Sequence, residues 1–323
     1  MKAFELMAYA GPDGLTLVDA PAPEPSDCEL LLDVHAIGVN FPDLLMTRGE
    51  YQFKPKLPTI PGCEVAGVVA RAPEGSGWRI GDRAAAFIWH GGYAEQVAVS
   101  LHAVTSVPDR VELTTASGMV VNYQTVLFAL QRRGQAKRGD HVLVMGAAGG
   151  IGTAALQVAR GLGARVLAGV ADDNQAETAR AAGATETIVL RTGFAATVRE
   201  MTEGRGVDVV LDPLGDWLFD EAVRALAPEG RVIVVGFAAG EIPSIKVNRL
   251  LLRNAGVIGA AFGAFLDVDP GIMQRQAESL HSMISAGAIN PRIDAVYEFH
   301  ELPETLRRLG RGEIRGKAVV RLR

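Results

Sequence analysis

The chain has 323 residues, of which 32 are Lys or Arg and 37 Asp or Glu, for a net charge of −5, and AVILMFWYC residues make up 48%. This is the composition of a folded globular protein, not a disordered one, and the whole-chain basic footprint of a nucleic-acid binder is absent. The two cysteines, Cys28 and Cys63, exclude a disulfide scaffold and any zinc site built on three or four thiolates, and fit a reducing, cytoplasmic setting.

At roughly 150 residues per domain the length suggests two domains. Met1 to Ala10 carries Lys2 and Glu5 and opens no long apolar run, so it does not read as a signal peptide. Apolar runs at Leu30–Val39, Glu64–Ala70 and Arg83–Ile88 are separated by Pro and Gly clusters. Short strands at that spacing predict a partly open barrel or sandwich over residues 1 to about 110.

The pattern then changes to strand–helix alternation. Strands are predicted at 142–145, 165–170, 187–190, 207–211 and 231–236, with helices at 150–162, 174–182, 194–202 and 217–226 between them. Such alternation predicts an α/β domain, a doubly wound parallel sheet covered on both faces. A further helix is predicted at 273–287 and a last strand at 317–323, the latter returning to the first domain. Residues 142–159 form 18 uncharged positions, long enough to raise a membrane span. Four glycines between 146 and 152 favour a strand, a glycine turn and a helix instead.

That turn, Ala147-Ala148-Gly149-Gly150-Ile151-Gly152, lies between a predicted strand and a predicted helix. Glycines there let the backbone approach a pyrophosphate and let the helix pack close to the sheet. Ala148, Gly149, Gly150, Ile151 and Gly152 are therefore candidate cofactor residues. Asp172 and Asp173 follow the second strand of the alternation. A carboxylate facing the adenosine ribose would favour NAD, whereas helix-capping carboxylates leave room for NADP. Arg191, after the third strand, is a candidate for meeting a 2′-phosphate.

Several motifs occur in order: Gly38-Val39-Asn40-Phe41-Pro42-Asp43, Arg48-Gly49-Glu50-Tyr51, Pro61-Gly62-Cys63-Glu64-Val65-Ala66-Gly67, Gly81-Asp82-Arg83, the glycine turn, and Gly316-Lys317-Ala318-Val319-Val320. Together they resemble the medium-chain dehydrogenase/reductase superfamily, and within it the zinc-independent quinone oxidoreductase (zeta-crystallin-like) branch, over essentially the whole chain. The resemblance implies a GroES-like, mainly β catalytic domain (1–120 and 266–323) and a Rossmann domain (121–265), with the nicotinamide in the cleft between them. It also implies a homodimer that extends the Rossmann sheet near Ala255–Ala261.

Zinc-dependent members carry Cys where this chain has Asn40 and His where it has Cys63, so no metal is expected. The resemblance places Asn40, Asp43 and Tyr51 near the nicotinamide as catalytic candidates. Asn40 would donate a hydrogen bond to the acceptor carbonyl, and Tyr51 would donate a proton or wall the pocket. Each of the three also suits the plain role of closing a turn. Asn122, Thr125, Gly236, Phe237, Phe262, Gly263 and Lys317 match positions that line the cofactor, although Phe237 and Phe262 equally suit a core. The branch implies NADPH, with NADH not excluded, because Gln175 and Leu190 stand where a Lys and a Tyr are usual.

The expected activity is hydride transfer to a quinone or related electron-poor carbonyl. The alternatives are an enoyl or acryloyl-type reductase acting on 2-alkenals or thioesters, and a low-turnover NADPH- or RNA-binding crystallin-like protein. The expected partner is a small molecule, with no nucleic acid and no membrane.

Overall fold

The computed structural model describes residues 1–323. Strands β1 (Lys2–Leu6) and β2 (Leu15–Asp19) pair antiparallel. The long β3 (Glu29–Val39) follows, and its side chains alternate between core and rim until Ile37, Gly38 and Val39, which are all buried. Next come helix α1 (Phe41–Arg48), strands β4 (Glu64–Arg71), β5 (Arg83–Phe87), β6 (Gln96–Ser100) and β7 (Val104–Ser106), and the short helix α2 (Leu113–Ala116). The core between them is aliphatic, with Leu30, Leu32, Val34, Val65 and Val99 at its centre.

Helix α3 (Val120–Leu127) runs into a π-helical stretch, Phe128–Arg133, for which the sequence pattern makes no prediction. Parallel strands and helices then alternate: β8 (His141–Met145), α4 (Gly150–Gly161), β9 (Arg165–Val170), α5 (Asp173–Ala181), β10 (Glu186–Val189), α6 (Phe194–Met201), β11 (Val207–Asp212), α7 (Leu218–Ala225) and β12 (Leu226–Val234). After them come α8 (Asn248–Leu251), β13 (Gly256–Gly259), α9 (Phe262–Phe265) and α10 (Ile272–Ser285). The sheet order is β10-β9-β8-β11-β12-β13, with every neighbouring pair parallel. The chain winds outward from β8 in one direction and from β11 in the other. The ends of β8 and β11 therefore flank the topological switch point, where doubly wound sheets bind ligands. The predicted strand at 231–236 ends at Val234, so Gly236 and Phe237 lie in the loop beyond it.

Finally β14 (Ile293–Glu298), α11 (Leu302–Gly310) and β15 (Lys317–Arg321) return. β15 pairs antiparallel with β3, setting Ala318 against Val39, and parallel with β14. This completes a seven-stranded sheet, β14-β15-β3-β4-β5-β7, with β6 also paired to β3. The chain divides into two compact units: Met1–Val121 with Leu266–Ala277 and Ile293–Arg323, and Asn122–Phe265 with Glu278–Arg292. The stretch 278–292 thus packs with the second unit, not with the first as the sequence suggests. Gln157 of α4 holds it, donating to Asn290 O (2.7 Å) and accepting from Asn290 N (2.9 Å), and Met283 packs over Gly161. No helix is long and apolar enough to cross a membrane, and residues 142–159 are β8, the glycine turn and most of α4.

Candidate active site

In the second unit the glycine turn sits directly after β8. Gly149 is the N-cap of α4, extended at φ −82° and ψ −179°, and no side chain caps the helix. The amides of Gly150, Ile151 and Gly152, in the first helical turn, therefore have no intrahelical acceptor. Gly149, Gly150 and Ile151 are half-exposed, whereas Ala147, Ala148 and Gly152 are buried. A Cβ on Gly152 would lie 2.2 Å from Gly146 O, so glycine is required for the helix to start this close to the strand. A Cβ on Gly149 would meet nothing nearer than Gly146 O at 3.5 Å. The bare N-terminus of a twelve-residue helix at the switch point suits an anionic pyrophosphate, so these residues fit a dinucleotide.

Beyond β9, Asp172 is the N-cap of α5, its Oδ1 accepting from Gln175 N at 2.8 Å. Gln175 returns the bond, its Oε1 accepting from Ala171 N at 3.1 Å. Both side chains are used locally. Asp173 lies in the exposed first turn of α5, and Arg191 is exposed. On α3, Asn122 is buried and Thr125, one turn on, is half-buried. Phe237 packs against the turn at Gly215, and Gly236 and Gly263 are half-exposed. Phe262 is buried against Phe128, with ring centroids 5.8 Å apart, and so behaves as a core aromatic.

Asp212, at the end of β11, was not singled out from sequence. It is fully buried, and its Oδ1 accepts from Leu214 N (2.8 Å) and Gly215 N (2.9 Å). Its Oδ2 has no partner, and burial raises its pKa.

In the first unit the sequence candidates Asn40 and Asp43 share one polar knot, and Lys317 joins it. Asn40 Nδ2 donates to Gly38 O (2.9 Å) and to Glu64 Oε2 (3.0 Å). Lys317 Nζ donates to Asn40 Oδ1 and to Glu64 Oε2, the latter at 2.6 Å. Glu64 Oε1 accepts from Val121 N at 2.8 Å. Glu64 is fully buried and Lys317 nearly so.

This geometry bears on two of the candidates. Both N–H bonds of the Asn40 amide are donated within the unit, to Gly38 O and Glu64 Oε2. Lys317 is committed to an internal ion pair with Glu64, so its charge is neutralised within the unit. The buried carboxylate of Glu64, which organises both, was missed. A buried acid is disfavoured without a partner, and its partner lies 253 residues away in sequence. The one local signal is Gly38, where a Cβ would come within 2.4 Å of Glu64 Oε2.

Asp43 is fully buried, with Oδ2 accepting from Asn40 N (2.9 Å) and Oδ1 from Cys63 N (3.0 Å). It ties the start of α1 to the start of β4, the positioning role left open for it from sequence. Burial raises its pKa to about 6, opposed by the hydrogen bonds at Cys63 and Asn40. Burial likewise pushes up the Cys63 thiol, which leaves it protonated and not a nucleophile. Tyr51 is half-buried, and burial, with lesser contributions from Cys63 and Asp43, pushes its phenol up to about 12. It stays a neutral hydroxyl at neutral pH, and it makes no hydrogen bond to the protein.

A doubly wound sheet with a bare glycine-turn helix, joined in one chain to a β unit carrying a polar knot, defines a dinucleotide-dependent oxidoreductase. Comparison with known proteins agrees. Residues 26–109 match the alcohol dehydrogenase GroES-like domain family, and residues 150–278 match the zinc-binding dehydrogenase family. The chain is 33% identical to quinone oxidoreductase-like protein 2 of Bos taurus, over 91% of this chain and 85% of that one. A solved probable oxidoreductase from Mycobacterium abscessus is 43% identical with TM-score 0.92, covering 100% of this chain and 99% of that one. A mycobacterial protein solved in complex with NADPH is 30% identical with TM-score 0.93, covering 100% of each. The chain belongs to the quinone oxidoreductase branch of the medium-chain dehydrogenase/reductase superfamily.

Proposed function

We propose that this protein is an NADPH-dependent, zinc-independent reductase of quinones or related electron-poor carbonyls. The observation that carries the reading is the uncapped N-terminus of α4 at the switch point, with three amides and no side-chain cap. When bound, the nicotinamide supplies a hydride, two electrons and one proton, which with one further proton from solvent turns a quinone into a hydroquinone. The residues that would hold the dinucleotide are Gly149, Gly150, Ile151 and Gly152 at the pyrophosphate, with Asn122, Thr125, Gly236, Phe237 and Gly263 along it. NADPH is favoured over NADH because the Asp172 carboxylate caps α5 and Arg191 is free to meet a 2′-phosphate. The mycobacterial relative complexed with NADPH supports the same choice.

Independence from zinc is supported by the donor set. Asn40 presents a carboxamide already bonded to Lys317, and no group of three or more His, Cys, Asp or Glu side chains is arranged to hold a metal. With Asn40 occupied, the chain's own part in the chemistry is to orient the acceptor and exclude water. Tyr51, a neutral phenol with no internal partner, is the one candidate left to hand over a proton. This also favours a second reading, reduction of an enone or enoyl thioester, in which the α carbon must be protonated.

A homodimer belongs to the same proposal. Strand β13 is an edge of the parallel sheet, and Ile242, Val247, Leu251 and Leu252 nearby in the chain are each at least 74% exposed. A cytoplasmic location rests on the two unpaired cysteines.

The test is anaerobic oxidation of NADPH and NADH with an ortho-quinone, a para-quinone, an enone and an enoyl thioester. Saturable quinone reduction with NADPH is expected. Preference for the enone or thioester, lost in Tyr51→Phe, would shift the reading to double-bond reduction. Tight cofactor binding with no turnover of any acceptor would overturn both.

A further inference from the structure

We infer that Asp212 takes up a proton from solvent when a dinucleotide binds at the glycine turn, so that affinity for the cofactor falls as pH rises. The inference rests on the dinucleotide reading above. β11 lies beside β8 in the parallel sheet, with Leu211 paired to Val144, so Asp212 stands level with Met145, the residue before Gly146. Its Oδ1, accepting from Leu214 N and Gly215 N, fixes the turn that follows β11. Leu214 packs over Gly146, where a Cβ would lie 3.2 Å from Leu214 Cδ2. Pro213 O and Leu214 O accept from Ala238 N and Ala239 N, each at 3.0 Å, and Phe237 packs against Gly215. One buried carboxylate thus holds the turn on which the chain beyond β8 and the chain beyond β12 both rest.

That carboxylate is poorly placed to stay charged. Asp212 is fully buried, and its Oδ2 has no partner, whereas a buried carboxylate is ordinarily paired. The charged groups on the elements around it are used elsewhere or lie away from it. His141 opens β8 and Asp208 lies near the start of β11, while Arg231 on β12 is paired with Val209, three positions before Asp212, and Glu229 precedes it. Arg160 is at the far end of α4, and Glu241 is exposed. Asp216 accepts from Trp217 N, and on α7 Arg224 pairs with Asp220 and Glu221. None of these bears on Asp212: burial raises its pKa, opposed by the two amides alone.

A proton on Oδ2 leaves Oδ1 accepting from both amides, so the turn keeps its bonds and the unpaired oxygen loses its charge. A pyrophosphate brings negative charge to the start of α4, and a nearby like charge disfavours the ionised carboxyl. The complex therefore holds the proton more tightly than the free protein does. Binding is tightest below the free protein's pKa, weakens as pH rises from there to the pKa of the complex, and levels off above it.

The experiment titrates ADP-ribose into the whole protein by calorimetry between about pH 5 and 7, in buffers of different ionisation enthalpy. ADP-ribose carries the pyrophosphate without the 2′-phosphate or the nicotinamide. The wild type is expected to take up part of a proton on binding, with Kd rising about tenfold over that range, the scale of one like charge about 10 Å away. Asp212→Asn keeps an oxygen for the two amides and cannot titrate. Its Kd is expected to stay at the wild type's low-pH value throughout, with no proton uptake. Asp43, a buried carboxyl whose pKa is raised to about 6, lies in the first unit and is unchanged in that variant. In difference infrared spectra, binding is expected to add a protonated-carboxyl band that Asp212→Asn lacks. ADP-ribose binding without proton uptake in the wild type, or with undiminished uptake in Asp212→Asn, would overturn the inference and leave the dinucleotide reading standing. Should Asp212→Asn not fold, the wild type decides alone, and absence of either the uptake or the band overturns the inference. Failure of ADP-ribose and NADPH alike to bind would overturn the dinucleotide reading, and the inference with it.

Discussion

Around Asn40 in the first unit every strong donor and acceptor of the amide is taken. Nδ2 serves Gly38 and Glu64, Oδ1 serves Lys317, and Glu64 spends its other oxygen on Val121. At the start of α4 in the second unit the opposite holds, because the amides of Gly150, Ile151 and Gly152 have no intrahelical acceptor and no side chain caps them. The contrast separates two ways of building a polar site. A buried charge pair must be satisfied from within, since leaving either member alone carries a large desolvation cost. Half-exposed amides at a helix start cost little when free, because water solvates them until an anion arrives. One region is thus closed structure and the other leaves backbone donors free, although both read from sequence as candidate site motifs.

The largest effect should come from breaking the closed region. Glu64→Leu strands the Lys317 ammonium in the core and is expected to cost about 3–5 kcal/mol, read as a lower midpoint in urea. Adding Lys317→Met should recover most of that loss. A single variant as stable as the wild type would mean that the pair does not hold the unit together.

A pair of glycine substitutions sharpens the other side. Gly152→Ala places a methyl 2.2 Å from Gly146 O and 2.6 Å from the Ala147 backbone, neither of which can yield easily. It is expected to lose about 1–3 kcal/mol of stability and weaken NADPH binding as well. Gly149→Ala has room, and its φ of −82° suits any residue. Its stability should stay within about 0.5 kcal/mol of the wild type, while its NADPH Kd rises about tenfold as the methyl intrudes on the pyrophosphate. Equal loss of stability in both variants would show that the turn is only a tight connection.

The smallest effect tests the boundary of the receptor. Asp172→Ala removes the α5 cap and should cost about 1 kcal/mol in thermal or urea unfolding. The ratio of NADPH to NADH affinity should not move. A shift toward NADPH in that variant would place the Asp172 carboxylate at the ribose after all.

Strands β3, β4, β5, β8, β9 and β11, the helices between the parallel strands and the glycine turn follow from local patterning. Apolar alternation, glycine placement and capping residues act within a few positions of one another, which is why their ends fall within a residue or two of expectation. The π-helical stretch Phe128–Arg133 did not follow, because its six residues carry no period that distinguishes it from an ordinary helix or a buried loop. The contact between Phe53 and Trp89 was hidden for another reason: the two rings meet across two loops, and nothing near either residue announces the other.

The sequence by itself determined the class of the fold, the order of its elements and the site where a dinucleotide would be received. Backbone amides at a glycine-flanked helix start need only local residues to be exposed. Only the tertiary structure decided which side chains remain free. Asn40, Glu64 and Lys317 come from the end of β3, the start of β4 and the last strand, and antiparallel pairing of β15 with β3 brings them within hydrogen-bonding distance. Whether a polar residue is a ligand or a structural partner depends on what the folded chain puts beside it. For Asn40 that neighbour is an ammonium 277 residues away in sequence.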